Sequence, residues 1–201
     1  MLPATTLVDV PSQGDAGGLS LGGYTFLHSA GYVSMEAEHF YRGEAPAGTA
    51  WSIYPDYGRT RSAVALTPYT QPVDGSSLTY RFTLPDTVRQ VKVHVIVKST
   101  LDFQNVGGHE CVLSLDGGSP QTVNFNKTLV DQEPYMYSEY YPTVARRVVE
   151  KVAELSVVSQ GTHELTLRPH HPGIVFEKLV VDFGGYQPSY LFMDESEYSR
   201  K

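Results

Sequence analysis

Alternating apolar and polar residues are the dominant pattern along this chain, and they predict β-strands. Successive side chains of a strand point to opposite faces, so strict alternation predicts a strand with one buried face. The clearest run has a valine at every second position: Val91, Val93, Val95 and Val97. Weaker alternation predicts further strands at 78–84, 111–115, 165–167 and 179–183.

Turn-forming residues separate these runs. Asp116-Gly117-Gly118 predicts a hairpin turn, because glycine reaches positive φ without steric cost, and it should join a strand at 109–115 to one at 120–125. Residues 1–22 are rich in Gly, Ser and Pro and have no apolar period, so they predict a linker or a loosely attached extension. The folded domain is therefore expected over residues 23–201.

The segment 144–158 fits two kinds of secondary structure. Its apolar residues match a helical stripe, and they match an alternating strand equally well. We interpret it as a strand that turns at Gly161 and pairs with a strand at 163–168, because a lone helix would separate two runs that otherwise pair as neighbours. Eight or more antiparallel strands then predict an all-β fold, a two-sheet antiparallel β-sandwich or jelly roll.

Composition and charge narrow the possible partners of this domain. A chain of 201 residues suits a single well-filled domain, and its 18 Gly, 13 Pro and 14 Tyr are typical of many turns and short strands. The formal net charge of -7, with Lys and Arg scattered, argues against nucleic acid and anionic membranes as partners. No apolar run approaches the roughly 20 residues that span a bilayer, and the first residues lack the order of a secretory signal. The only cysteine, Cys111, lies in an apolar run and is interpreted as a buried, inert thiol.

Glu36-Ala37-Glu38 is the first candidate for chemistry. If a strand runs through these residues, both carboxylates lie on one face and repel each other, which favours a hard cation with oxygen ligands. Asp182, on the polar side of the last predicted strand, could add a third carboxylate if the first and last strands are neighbours. The sequence thus raises a structural Ca²⁺ site at Glu36, Glu38 and Asp182, against the simpler interpretation of a solvated strand face.

Two clusters of aromatic residues are candidates for carbohydrate binding, which uses aromatic faces together with a few polar groups. The first contains Trp51, Tyr54, Tyr57 and Arg59, and the second, in a predicted loop, contains Tyr135, Tyr137, Tyr140 and Tyr141. Tyrosines also favour protein interfaces, because they combine a large area with few rotatable bonds. The sequence leaves open whether the clusters form a glycan platform or a packing surface, and Trp51 also fits the core.

Catalysis is not expected from this chain. Glycoside hydrolysis needs two carboxyl groups in different environments, and nothing in the sequence separates the environments of Glu36 and Glu38. The sequence contains no P-loop and no paired-glycine dinucleotide motif. His170 and His171, which precede Pro172, are interpreted as a turn-forming pair because neighbouring strand residues face opposite ways.

Five stretches in collinear order resemble the C-terminal domain of glycoside hydrolase family 115. The first contains Glu36-Ala37-Glu38 and the fourth ends at Asp182, two features that also resemble the calcium-binding β-jelly-roll carbohydrate-binding modules of families 6 and 35. The family pattern has Asp where this chain has His171, and Gly-Pro-Pro where it has Phe192-Met193-Asp194. The stretches are 31–39, 58–64, 161–165, 172–182 and 184–191.

The resemblance implies a non-catalytic accessory sandwich of a xylan α-glucuronidase, because a catalytic barrel has no room in this chain. It implies packing on the catalytic domains, dimerisation, and residues lent to the substrate cleft of a neighbouring subunit. It also implies a secreted or periplasmic parent enzyme. The alternative is an autonomous carbohydrate-binding module that targets xylan or a related plant polysaccharide.

Overall fold

Thirteen strands lie in the part of the chain that the computed structural model describes, residues 22–156 and 159–201. A π-helical turn, Met136–Tyr140, and helix α1, Tyr141–Arg146, lie between β9 and β10. The strands are β1 (Tyr24–Phe26), β2 (Tyr32–Glu36), β3 (Arg42–Glu44), β4 (Ala50–Tyr54), β5 (Ala63–Thr67), β6 (Ser77–Leu84), β7 (Gln90–Lys98), β8 (Glu110–Leu115), β9 (Gln121–Asn124), β10 (Val148–Ser156), β11 (Gly161–Pro169), β12 (Val175–Asp182) and β13 (Tyr198–Arg200).

The strands form two sheets that face each other across one core. Sheet A has the order β13-β1-β6-β11-β8-β9, with β3 also paired to β6. Sheet B has the order β10-β7-β12-β5-β4, with β2 also paired to β12. Among the described strands, every pair is antiparallel except β1 with β6. The predicted all-β sandwich is therefore confirmed.

The alternating pattern explains how the core is filled. The four valines of β7 are buried in one core cluster together with Phe82, Leu113 and Leu165 of sheet A. The hairpin predicted at Asp116-Gly117-Gly118 is also present, since β8 pairs with β9 and Gly117 has φ +70. Cys111 is fully buried, and burial raises the pKa of its thiol, as expected for an inert core cysteine.

The segment 144–158 begins with the last three residues of α1 and is a strand from Val148 to Ser156, but the partner predicted for this strand was wrong. β10 pairs with β7 in sheet B along its whole length, whereas β11 pairs with β6 and β8 in sheet A. β10 and β11 therefore belong to different sheets and do not form a hairpin. A glycine marks the reversal of the chain, yet it does not determine which sheet the next strand joins.

A bulge in β12 changes which residues face outward from sheet B. Phe176 and Leu179 both point into the core, although alternation would place residues three apart on opposite faces. The register with β7 shifts between Phe176 and Lys178, so one extra residue is inserted there. Glu177 and Lys178 consequently both lie on the outer side of the sheet, and both are buried.

Two further predictions concern an extension at the start of the chain and the absence of a membrane-spanning segment. The extension predicted over residues 1–22 lies outside the described residues except for Gly22. Within the described ranges, no helix has the length and apolar character needed to cross a bilayer.

Candidate functional site

Residues 184–196, here named the covering segment, lie on the outer face of sheet B. Phe192 is buried there against Ile96 and Val180. The end of the segment is held by two bonds at 2.9 Å, in which the Ser196 amide donates to the Ser34 carbonyl and the Ser34 amide donates to Ser196 Oγ. The region of sheet B beneath the covering segment is therefore buried, and its charged residues Glu36 and Lys178 are shielded from water.

The three predicted calcium ligands are not brought together. β2 ends at Glu36, and Glu38 lies in the turn that follows, where the His39 amide donates to the Glu36 carbonyl. In the β2–β12 register Glu36 is opposite Lys178, whereas Asp182 is opposite Tyr32. Those four positions correspond to roughly 13 Å along the strand.

Asp182 has a structural role of its own. Its Oδ1 accepts the backbone amides of Gly184, Gly185 and Tyr186 at 2.8, 3.1 and 3.0 Å. These bonds fix the turn that starts the covering segment. The prediction that Asp182 completes a metal site with Glu36 and Glu38 was wrong, because the turn after Glu36 and the position of Asp182 along β12 separate the three carboxylates.

The carboxylate of Glu36 is already neutralised by an ammonium group. Lys178 Nζ lies 3.0 Å from Glu36 Oε1 and donates to the carbonyls of Met193 at 2.8 Å and Leu191 at 3.3 Å. Thr60 Oγ1 donates to the same Glu36 oxygen at 2.6 Å. The residues present therefore do not fit a calcium ion, and in the described ranges no group of three or more His, Cys, Asp or Glu side chains could hold a metal.

Glu195 ties the turn after β2 to the covering segment. Its Oε1 lies 2.5 Å from His39 Nδ1 and accepts the Glu36 amide at 3.3 Å, and its Oε2 lies 3.5 Å from Arg61 Nε. Neither Glu195 nor Lys178 was expected from the sequence. The signal for Lys178 was the break in alternation between Phe176 and Leu179, whereas the position of Glu195 depends on tertiary folding.

Next to this buried network lies an exposed patch of tyrosines and cations, here named the cation–tyrosine surface: Tyr57, Arg59, Lys98 and Tyr190. The guanidinium carbon of Arg59 is 3.9 Å from the ring centre of Tyr190, and Lys98 Nζ is 4.6 Å from that of Tyr57. Tyr57 is 50% exposed and Tyr190 67%. Both rings therefore offer large aromatic faces to a partner while cations hold them in place.

Glu177 anchors this surface from below. Its Oε2 accepts the Arg59 amide at 2.8 Å, and its Oε1 lies 3.5 Å from Lys98 Nζ. Burial raises the pKa of the Glu177 carboxyl, and the charges of Lys98 and Arg59 offset this only in part. Among the described residues, Glu177 Oε1 and Arg59 Nη1 are both buried without a hydrogen-bond partner.

Tyr54 extends the surface toward Tyr69. The ring centres of Tyr54 and Tyr57 are 6.1 Å apart, and the hydroxyls of Tyr54 and Tyr69 are 2.9 Å apart. Burial and this hydrogen bond raise the pKa of the Tyr69 hydroxyl. Of the first predicted cluster, Tyr54, Tyr57 and Arg59 thus do lie together.

Trp51 does not belong to this surface, so its assignment to carbohydrate binding was wrong. It is only 4% exposed, its ring packs against Phe176, and its Nε1 donates to the Glu44 carbonyl at 2.7 Å. Trp51 faces the core because it lies three residues before Tyr54 in β4, and residues an odd number apart in a strand point to opposite faces.

The second predicted cluster lies at the other edge of sheet B. Tyr135 and Tyr137 belong to the π-helical turn and the residue before it, and not to the loop that was predicted. That turn is joined to β10 by an ion pair between Glu139 and Lys151, and β10 and β4 are the opposite edges of the sheet. Tyr137 is 70% exposed and its ring centre lies 5.5 Å from that of Tyr141. The two clusters therefore form separate surfaces.

Comparison with known proteins connects the fold to a family. The family model described as the glycosyl hydrolase family 115 C-terminal domain matches residues 25–195. No individually curated protein matches the chain.

Among solved structures, a family 115 4-O-methyl-α-glucuronidase with specificity for decorated arabinogalactans is similar at a TM-score of 0.54 and 17% identity, over 74% of this chain and 17% of that chain. The C-terminal family 6 carbohydrate-binding module of a laminarinase from Zobellia galactanivorans gives 0.48 and 15%, over 75% and 98% of the two chains. A family 35 module from Clostridium thermocellum gives 0.49 and 12%, over 74% and 97%. The chain thus spans about a sixth of the glucuronidase that it resembles.

Proposed function

Because the chain belongs to the family of glycoside hydrolase family 115 C-terminal domains, we propose that it is the non-catalytic accessory domain of a secreted or periplasmic xylan α-glucuronidase. Its role is to associate with the catalytic domains, in the same subunit or in a homodimer, and to place residues beside their substrate cleft. The observation that carries this proposal is the cation–tyrosine surface.

Two of the four residues of the cation–tyrosine surface, Arg59 and Tyr190, lie in stretches that carry the family pattern. Tyr57 directly precedes the stretch 58–64, Glu177 belongs to 172–182, and Tyr190 belongs to 184–191. The buried bonds of Glu177 and the covering segment hold these stretches together below the surface. The family sequence pattern thus supports an exposed recognition surface at this place.

The tyrosine rings and cations of this surface suit a partner that carries acidic groups or that packs against aromatic rings. Tyr and Arg are the residues most enriched at the centres of protein interfaces. The chain carries a formal net charge of -7, so the cations of Arg59 and Lys98 form a local exception to the overall charge.

Two buried carboxylates, Glu36 and Glu177, support an accessory role over hydrolysis. Glycosidases need one protonated and one ionised carboxyl group facing a common cleft. Glu36 is paired with Lys178, and Glu177 is covered beneath the cation–tyrosine surface. Both groups are therefore covered by neighbouring residues and do not face an open cleft.

The association is tested by mixing this domain with a family 115 catalytic portion supplied as a separate chain. We expect a complex by size-exclusion chromatography with light scattering, and we expect Tyr57→Ala and Tyr190→Ala each to weaken it by about tenfold or more. Tyr137→Ala is the matched control, because it removes an equally exposed tyrosine at the opposite edge of sheet B. Equal binding by all four proteins would overturn the assignment of this surface.

The alternative function is an autonomous module that binds xylan or a related plant polysaccharide. The exposed rings of Tyr137 and Tyr190 favour it, since sugars stack their C–H faces on such rings. Calorimetric titration with glucuronoxylan oligosaccharides separates the two functions. Heat of binding that disappears in Tyr190→Ala, from a domain that forms no complex with the catalytic portion, would favour the module.

A further inference from the structure

Lys178 occupies the position in this fold where a cation was expected. Its side chain is only 3% exposed, and its ammonium group has reached the carboxylate of Glu36 in the first stretch of the family pattern. A buried lysine is costly unless its charge is paired and its three N–H donors have acceptors. Here one donor meets a carboxylate and two meet carbonyls, so the buried charge is fully accommodated.

The acceptors around Lys178 are those that a hard metal ion would use. A carboxylate oxygen and two backbone carbonyls are typical ligands of Ca²⁺. The two carbonyls come from Leu191 and Met193, on either side of Phe192, and Phe192 and Met193 have positive φ values of 58° and 69°. Such a conformation is uncommon for large side chains, and it curls the covering segment so that both carbonyls face one point.

We infer that the Lys178 ammonium group is the resident cation of this domain, in place of a divalent metal. It fastens the covering segment to sheet B, and with that segment it positions Tyr190. Calcium has no role at this place, because a second cation beside Glu36 would be repelled by the ammonium group 3.0 Å from that carboxylate. The inference concerns the stability of the fold and does not depend on the proposed function.

The first experiment needs no variant. Thermal unfolding of the 201-residue chain is followed in EGTA, in millimolar Ca²⁺ and in millimolar Mg²⁺ as the control for ionic strength. We expect the same Tm in all three. A Tm that rises with Ca²⁺ over Mg²⁺ and falls in EGTA would overturn the inference, because a metal that binds the folded state stabilises it by mass action.

The second experiment tests whether the ammonium group holds the covering segment. Lys178→Met keeps the aliphatic stem and removes the charge, and the amide of Ser196 reports on the segment because it bonds to the Ser34 carbonyl. We expect hydrogen exchange at this amide to accelerate by about a hundredfold, as for the loss of one partner from a buried ion pair. Lys92→Met, on an exposed side chain of β7, should leave the rate unchanged.

If Lys178→Met does not fold, Glu36→Gln provides the same test. It removes the negative partner while it keeps the size of the side chain and an acceptor for Lys178 and Thr60. We expect a smaller acceleration, about tenfold, at the Ser196 amide. An unchanged exchange rate in either folded variant would show that the covering segment is held without this ion pair.

Discussion

The assignment of Trp51 to the core makes a quantitative prediction. Trp51→Phe removes the bond from Nε1 to the Glu44 carbonyl, which contributes about 1 kcal/mol to the free energy of unfolding. The smaller ring also leaves a void beside Phe176, at a cost of about 1 kcal/mol. The variant should therefore lose roughly 2 kcal/mol, which lowers the Tm of a domain of this size by about 4 to 8 °C.

Urea unfolding followed by far-ultraviolet circular dichroism measures this loss. Tryptophan fluorescence cannot be used for the variant, since Trp51 is the only tryptophan of the chain. Tyr57→Ala is the control, because its exposed ring should change stability by less than about 0.5 kcal/mol. The reasoning is refuted if Trp51→Phe unfolds like the unaltered chain while it loses binding to glycan or to the catalytic portion.

Three further predictions follow from buried polar groups. Glu177 has a raised pKa in the folded state, so its ionisation opposes folding once the pH exceeds the ordinary value of 4.5. In urea titrations at neutral pH, Glu177→Gln should be at least as stable as the unaltered chain, and this gain in stability should disappear in acid. A variant that is less stable at neutral pH would contradict the prediction. Burial lowers the pKa of His109, so the stability of the unaltered chain should fall as the pH drops below 6.5. The Tm of His109→Phe should depend less on pH in this range. The same dependence of Tm on pH in both proteins would contradict the prediction. Tyr80→Phe removes the buried 2.8 Å bond to the Ala37 carbonyl and should lower the free energy of unfolding by about 1 to 3 kcal/mol, in contrast to Tyr57→Phe.

The alternation of apolar and polar residues was enough to predict the sandwich, because the sequence of each strand shows which of its faces is buried. The valines of β7 alternate with outward residues, and the turn at Asp116-Gly117-Gly118 joins β8 to β9 as predicted. The pairing of β10 was not predictable in the same way. β10 and β11 are adjacent in the chain yet belong to different sheets, and only the packing of the whole core decides between a hairpin and a crossover.

The candidate site was predicted in part. Tyr54, Tyr57 and Arg59 lie together because they follow one another at the end of β4 and in the next loop. The calcium site failed because two assumptions about backbone geometry did not hold: β2 ends at Glu36, and the bulge in β12 turns Lys178 toward it. A bulge inserts one residue, and an inserted residue exchanges the inward and outward positions of everything that follows.

The pairing of the first and last strands has a practical consequence. β1 and β13 run side by side, with Tyr24 opposite Arg200 and the Lys201 amide bonded to the Gly23 carbonyl at 3.2 Å. A few glycines could therefore join Lys201 to Gly22, and the chain could be reopened in the exposed turn at Gly117 as a circular permutant with the same two sheets. A pulling force applied at Gly23 and Lys201 would break the hydrogen bonds of this pair one after another. The short β1–β13 pair would therefore separate before the longer strand pairs inside the sandwich.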